Sequence, residues 1–323
     1  MKLLLTEKKI YRIFNTENMI NFSQRNLNKR HETILGWLMV SPWLIGFICF
    51  SALPMFASLI ISFTEWDMLS KPEWVGFDNY KTLFFEDPLA LHSLNITILF
   101  TIVSIPLNIV FGLALAMLLN TSIRGLAIFR TIFYLPAILS GVAVALMWRW
   151  IFSTEFGLLN ALLSMIGIEG PAWLTDRIWV LPSFVIMRLW SVGGGMIIYL
   201  AGLQSIPTNL YEAANIDGAN WWHRTRFITL PMLSPTIFFQ LIVGFIFSMQ
   251  IFTEAFIMTN GGPADASLFY LLYLYRQAFQ YFDMGYASAL AWVLFVVILV
   301  LTIILFKTGK SWVYYELDTK KLK

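Results

Sequence analysis

The sequence predicts an all-α membrane protein that crosses the bilayer several times, and two observations support this. Its 323 residues are 58% hydrophobic and only 13% charged, whereas soluble domains average roughly 45–50% apolar and about 25% charged. The apolar residues also form long blocks instead of the stripes of a water-soluble amphipathic helix. Because unpaired backbone groups in hydrocarbon cost several kcal/mol each, the lipid-facing segments are expected to be helices.

Six apolar blocks are long enough to cross a bilayer, which takes about 20 helical residues. The predicted spans are 34–63, 93–119, 131–152, 179–203, 232–259 and 286–306. They divide the chain into an N-terminal arm (1–33), a first helix with its outer loop (34–92), a five-helix core (93–306) containing the inner loop 204–231, and a C-terminal tail (307–323).

The distribution of Lys and Arg predicts the orientation of these spans, since cytoplasmic loops carry an excess of both residues. Sixteen of the 22 Lys and Arg lie on one side of the membrane, in segments 1–33, 120–130, 204–231 and 307–323. Only four lie in the connections 64–92, 153–178 and 260–285. We therefore expect both termini in the cytoplasm. The net charge of +3 is too small to indicate a nucleic-acid partner.

Metal sites and a nucleotide site in this chain are not expected. The single Cys49 excludes a cysteine zinc site, and His31, His92 and His223 lie outside the spans without ligand spacing. The run 309–311 resembles the end of a Walker A motif, but Ile304 replaces the first glycine and the run follows a predicted membrane helix. The chain is therefore predicted to bind no cofactor itself.

The inner loop 204–231 has the pattern of a folded structure, which we call the elbow. Pro207 suits the first turn of a helix, and the run 210–216 consists of good helix formers. Gly218 then supplies a left-handed stop. A second short helix is expected from Ala219, ending before Pro231. The small side chains Ala213 and Ala214 would allow another backbone to approach closely.

Within the elbow the sequence resembles the EAA signature of the membrane subunits of type I ABC importers. The matching positions are Glu212, Ala213, Ala214, Gly218, Ile228, Leu230 and Pro231. The resemblance implies the type I ABC importer permease fold, in which this loop is a coupling helix that seats on a separate ATP-binding subunit. It assigns that contact to Glu212, Ala213, Ala214, Asp217 and Gly218. An interfacial amphipathic loop without a partner is the alternative.

Other segments are similar to the carbohydrate-uptake branch, the relatives of the maltose permease. They are SFTEWDMLSKPEWVGFDNY after the first span, FRTIFYLP through WRWIF with FGLLN around the third, and TNGGP with GYASA before the last. This resemblance implies a sugar or oligosaccharide importer in a prokaryotic cytoplasmic membrane. Its implied partners are a second, homologous permease, two ATP-binding subunits that hold ATP and Mg, and an extracytoplasmic sugar-binding protein. The maltose permease itself has extra N-terminal spans and a large outer domain, which the six spans predicted here do not include.

Candidate cargo contacts lie in spans four and five. In maltose-type relatives the substrate site lies mid-membrane on these two spans, and matching the flanking motifs places it near Met187, Trp190, Ser191, Phe247, Ser248 and Ile251. From the residues alone, Phe247, Gln250 and Glu254 have the spacing of one helical face. An aromatic ring beside an amide and a carboxylate suits a sugar. We also expect the helix to unwind near Gly193, Gly194 and Gly195 and to expose backbone groups to a ligand.

Structural roles for these residues remain alternatives. Glu254 could pair with Arg188, Gln250 and Ser248 could bond between helices, and Trp190 could face lipid or a partner. The two membrane-embedded charges do not form a catalytic set, so an enzyme is not expected. A secondary transporter would need coupling-ion sites and internal repeats. Within the importer class, a glycerol phosphodiester is the alternative cargo.

Overall fold

The computed structural model describes residues 31–121 and 124–314, and almost all of its regular structure is helical. The described residues divide into two compact units, one ending at residue 60 and one beginning at residue 61. The ends of the arm (1–30) and of the tail (315–323) lie outside the described residues.

The first unit contains the helix α1, His31–Ile61. Its hydrogen bonds change to a π-helical pattern at Ile48–Ala52. This turn includes Phe50, whose carbonyl would clash with the ring of Pro54 in a regular α-helix. The helix contains the predicted span 34–63 except its last two residues, so that prediction is confirmed to within one turn.

A short β-hairpin that the sequence analysis did not predict follows α1. Strand β1, Thr64–Glu65, pairs antiparallel with β2, Glu73–Trp74. Helix α2, Asp78–Lys81, and a π-helical turn, Thr82–Glu86, come next. The Asn79 amide donates hydrogen bonds to the carbonyls of Ser62 and Thr64, at 3.0 and 2.9 Å, and thereby fastens α2 to the start of the hairpin.

Three further helices are long and apolar enough to cross a membrane: α3, Pro88–Leu118; α10, Trp221–Ser248; and α13, Met284–Trp312. Aspartates cap two of them, as N-terminal donors require. The Asp87 carboxylate accepts from the N–H groups of Leu89 and Ala90 at the start of α3. Asp283 accepts from the N–H of Tyr286 at the start of α13.

Two further apolar segments are bent pairs of helices. Helices α4, Leu126–Ile138, and α5, Gly141–Ile151, meet at 98°, and α7, Val180–Trp190, and α8, Gly193–Ser205, meet at 47°. If each pair is counted as one span, the two pairs and the four long helices together give the six spans that the sequence predicts. The remaining helices are α6, Leu158–Met165; α9, Thr208–Ile216; α11, Thr253–Met258; and α12, Tyr270–Phe279.

The predicted bounds of span five, and the separate second helix in the elbow, are wrong. Helix α10 runs without interruption from Trp221 through a π-helical turn at Thr225–Thr229 to Ser248. The π-turn includes Phe227, whose carbonyl lies four residues before Pro231, so the proline is accommodated instead of ending a helix. Span five therefore begins eleven residues before the predicted start at residue 232 and ends eleven residues before its predicted end at residue 259.

The second unit is held by two apolar clusters that both include α3. In one, Phe269 packs edge-on against Phe100 of α3 and Phe184 of α7, with ring centroids 5.3 Å apart in each pair. The other joins α3 to α8 and α10 around the buried Tyr199 and Leu233. Polar positions of α3 between the two clusters remain available to line a cavity.

Candidate functional site

Two connected cavities lie where the interrupted helices meet. The larger has a volume of about 580 Å³ and the smaller about 180 Å³. They share Asn108, Arg188, Ser191 and Phe247 as lining residues, so we treat them as one central cavity. The larger volume falls within the roughly 300–1,000 Å³ of ligand pockets.

Breaks between helices position the cavity residues. Helix α7 ends where the N–H of Ser191 bonds to the carbonyl of Arg188 at 3.1 Å, and α8 begins at Gly193. The helix is thus interrupted at Ser191 and Val192, whereas the three glycines, where unwinding was predicted, are helical, so the predicted place was wrong by two residues. Glycine serves close packing there, since a Cβ on Gly193 would lie only 1.8 Å from the carbonyl oxygen of Phe133.

The structure brings seven of the eight predicted cargo contacts to the central cavity. Six line the larger part: Met187, Ser191, Phe247, Gln250, Ile251 and Glu254. Ser248 is buried and lines the smaller part. Trp190 lines neither part. Its ring packs edge-on against Trp148 with centroids 5.9 Å apart, so the structure does not support it as a cargo contact.

The expectation that Phe247, Gln250 and Glu254 share a face of one helix is wrong. Helix α10 ends at Ser248, Gln250 lies in the link 249–252, and Glu254 is in the first turn of α11. The link turns two apolar side chains inward, as Met249 is fully buried and Ile251 is 3% exposed. Gln250 bonds to the carbonyl of Ile246 at 3.1 Å. These residues converge on the cavity because the helix breaks.

Sequence reasoning missed three polar lining residues, Asn108 on α3, Tyr199 on α8 and Gln240 on α10. The Asn108 amide donates to the carbonyl of Ser104 on its own helix at 3.1 Å. The sequence could have indicated two of them, because Asn108 and Gln240 are amides within the predicted apolar spans two and five, where a polar group suggests function. Extending that test from spans four and five to span two would have found Asn108.

Arg188 and Glu254 both line the larger part of the cavity, but they do not form an ion pair. Among the described residues, ion pairs within 4.0 Å join Lys81 to Asp78 and Arg276 to Asp265. The charge of Glu254 still acts on Arg188 over a longer distance. The alternative in which these two residues simply pair is therefore wrong for this conformation.

The elbow contains the predicted helix stop. Helix α9, Thr208–Ile216, begins directly after Pro207. Gly218 has φ +75°, the left-handed conformation in which glycine is least strained. The N–H of Ala219 bonds back to the carbonyl of Ala214 at 2.8 Å, which closes the helix end in the manner of a Schellman motif.

Side-chain bonds fix α9 against the start of α10. The Arg224 guanidinium donates to the Asn215 side-chain oxygen at 2.7 Å. The hydroxyls of Tyr211 and Thr229 lie 3.0 Å apart. Asn220 caps α10 by accepting from the N–H of His223 at 2.9 Å. The two helices of the elbow are thus held in one relative orientation.

The predicted coupling residues are largely open to the surface of the elbow. Glu212, Ala213, Asp217 and Gly218 are exposed, and Ala214 is half-buried. The neighbouring Ile216 is 87% exposed. This combination of small, apolar and acidic groups is suited to a contact with another protein.

Comparison with known proteins places the chain in a family. Residues 108–308, which include the elbow and all lining residues of the central cavity except Ile105, match the family model of the binding-protein-dependent transport system inner membrane component. The chain belongs to this family. Its members are membrane transport components, as the sequence analysis expected, and not enzymes. The segment 309–311, predicted to follow the last span as part of the tail, is instead part of α13.

Individual relatives match nearly the whole chain. The probable ABC transporter permease protein YesP of Bacillus subtilis is 44% identical over 93% of this chain and 98% of its own length. The lactose transport system permease protein LacF of Rhizobium radiobacter is 36% identical over 90% and 98%. A crystal structure of a bacterial ABC transporter involved in the import of the acidic polysaccharide alginate matches with a TM-score of 0.78 and 27% identity, over 89% of this chain and 99% of that one.

Proposed function

We propose that this permease forms half of the membrane channel of an ATP-driven importer for a sugar or oligosaccharide. Relatives named for lactose and alginate transport support a carbohydrate cargo. The central cavity supports it too, because it combines the exposed ring of Phe247 with the amides of Asn108 and Gln250 and the hydroxyl of Ser191. Rings and directional polar groups suit the apolar faces and hydroxyls of sugars.

One observation carries the mechanism: α10 is continuous from the elbow to the central cavity. It starts at Trp221 and ends at Phe247 and Ser248, which line the cavity. Its 28 residues span about 42 Å at about 1.5 Å per residue. A displacement of the elbow would therefore be transmitted by a hydrogen-bonded rod to the cavity wall, where the chain is already broken and free to rearrange.

The elbow is proposed to dock on a separate ATP-binding subunit through Glu212, Ala213, Ala214, Asp217 and Gly218. Their exposure supports this, and so does the fixed α9 to α10 geometry, which would convert movement of the docked subunit into movement of α10. ATP and Mg would bind to those partner subunits. Hydrolysis would then alternate the access of the cavity between the two sides of the membrane.

The remaining partners follow from the same proposal. A second permease, most simply a different but homologous chain, would complete the central cavity, and an extracytoplasmic binding protein would deliver the cargo. Sixteen of the 22 Lys and Arg lie in the termini, in segment 120–130 and in the elbow, against four in the outer connections, and this supports a cytoplasmic position for the elbow and both termini. Lipid covers the outward faces of the spans.

Charge reversal on the elbow tests this proposal. In the complete importer, Glu212→Lys is expected to abolish uptake and copurification of the ATP-binding subunit, because it places a cation where docking requires an anion. Glu32→Lys makes the same change at an exposed position, predicted to lie on the same side, outside the elbow. It should retain uptake. Normal uptake and copurification by Glu212→Lys would refute the docking assignment.

A further inference from the structure

Arg188 is a cation within the fourth predicted span, and its guanidinium has no bonding partner among the described residues. It belongs to the last turn of α7, is half-buried, and lines both parts of the central cavity. No hydrogen bond or ion pair within 4.0 Å joins it to any described residue. The other polar side chains among the described lining residues are amides and hydroxyls, apart from the carboxylate of Glu254.

A charge in this position has an energetic cost that needs a reason. Placing Arg at the centre of a membrane helix costs about 2.5–3.5 kcal/mol or more. Charged residues inside spans therefore mark ligand pathways and find a counter-charge there. The carboxylate of Glu254 is in the same cavity but does not reach Arg188. The guanidinium thus remains available to an anionic group that enters the cavity.

We infer that the cargo is an acidic sugar, and that Arg188 binds its carboxylate in the central cavity. This inference rests on the proposed function and narrows its substrate class. The planar guanidinium forms two parallel hydrogen bonds with a carboxylate, and because both groups are charged these bonds are stronger than those to neutral sugar hydroxyls. Asn108, Ser191 and Gln250 supply the neutral partners for ring hydroxyls, and Glu254, which is beyond ion-pair distance of Arg188, accepts from further hydroxyls.

The test compares two cargoes that differ only in charge. The complete importer, with its binding protein and ATP-binding subunits, is reconstituted in vesicles and supplied with a uronate-containing disaccharide or with the same disaccharide after its carboxylate is reduced to a primary alcohol. Import of each cargo by a variant is divided by import of that cargo by the wild type. This ratio cancels the selectivity of the binding protein, which the variants leave unchanged.

Arg188→Gln is expected to lower uronate import at least tenfold, about 1.4 kcal/mol, and import of the reduced disaccharide less than threefold. Arg188→Lys keeps the charge but cannot form the two parallel hydrogen bonds of a guanidinium, so its import of the uronate should lie between that of Arg188→Gln and that of the wild type. Glu254→Gln should raise the uronate ratio above the ratio for the reduced disaccharide, because it removes a repelling charge. Arg149→Gln, which changes an arginine bonded to the carbonyl of Ile257 outside the cavity, should affect both cargoes equally.

The possible failures are distinguishable. If Arg188→Gln lowers the import of both disaccharides equally, or if Glu254→Gln does so, the two residues have a structural role. Either result would overturn the inference that the cargo is acidic, but the proposal of a sugar importer would stand. Wild-type import of the reduced disaccharide alone would do the same. If the wild type imports neither disaccharide but does import a glycerol phosphodiester, the sugar assignment itself fails.

Discussion

The elbow and the central cavity are built in opposite ways. The elbow is one continuous stretch of chain, and its fixing contacts join residues nine positions apart, Asn215 and Arg224, and eighteen apart, Tyr211 and Thr229. The cavity collects side chains from Asn108 on α3 to Glu254 on α11, across most of the second unit. A local site can be predicted from its residues, whereas a site assembled from breaks in distant helices depends on packing.

The largest effect is expected from substituting Gly218, the glycine in the left-handed conformation that shapes the turn within the elbow. Gly218→Val is expected to abolish uptake, by a factor of about 100 or more, because a β-branched residue is strongly disfavoured at φ +75° and the turn between α9 and α10 would change. Uptake by the complete importer is the measurement. The variant should still insert in the membrane, since no Cβ contact within 4 Å arises at this position.

Gly167→Val provides the matched control. Gly167 has φ +76°, is likewise free of Cβ contacts within 4 Å, and lies just after α6, away from the elbow. The backbone strain is the same, so uptake should stay within about threefold of the wild type if the geometry of the elbow is what matters. Similar losses in both variants would show that the effect is general destabilisation.

The packing of the cavity wall can be tested by two adjacent glycines. In Gly193→Ala the new Cβ would overlap the backbone of Phe133, so we expect a loss of stability at or above the roughly 1–3 kcal/mol typical of overpacking. In Gly194→Ala the Cβ meets only the Cβ of Ala137, at 3.4 Å. Thermal unfolding of the purified permease complex should separate the two variants clearly. Equal melting temperatures would contradict the close approach of α8 to α4.

The assignment of cargo contacts predicts a difference between two residues that the sequence alone treats alike. Gln250→Ala is expected to lower cargo-stimulated ATP hydrolysis about three- to tenfold, because its amide lines the cavity. Trp190→Ala should change it less than about twofold, since that ring packs on Trp148 outside the cavity. A larger effect at Trp190 than at Gln250 would mean that the cavity lies elsewhere in the working complex.

The smallest predicted effect is at the link between the two elbow helices. Tyr211→Phe removes the hydroxyl contact with Thr229, a net contribution of about 0.5–1.5 kcal/mol for a typical hydrogen bond. We expect normal assembly and a decrease in uptake of about twofold, measured in the same vesicles. An unchanged rate would assign the stiffness of the elbow to the Arg224 contact with Asn215 instead.

Much of the fold and of the elbow could be predicted because the signals are local. Six apolar blocks give six spans, counting each bent pair once, and Pro207 and Gly218 mark the limits of α9 as expected. The bounds of span five could not be predicted, because whether the chain continues through Pro231 depends on a π-helical turn. The position of Trp190 likewise depends on which neighbour its ring meets, and no local pattern specifies that.

By itself the sequence determined that this chain is a helical membrane protein with a folded elbow, because hydropathy and turn residues act over short stretches of chain, and the resemblance to the EAA signature implied that the elbow is of the ABC importer type. Only the tertiary structure decided where α7 and α10 break and which polar groups those breaks bring together. The physical reason is that buried contacts between distant helices, such as Gly193 against Phe133, select one of several conformations that the local sequence permits.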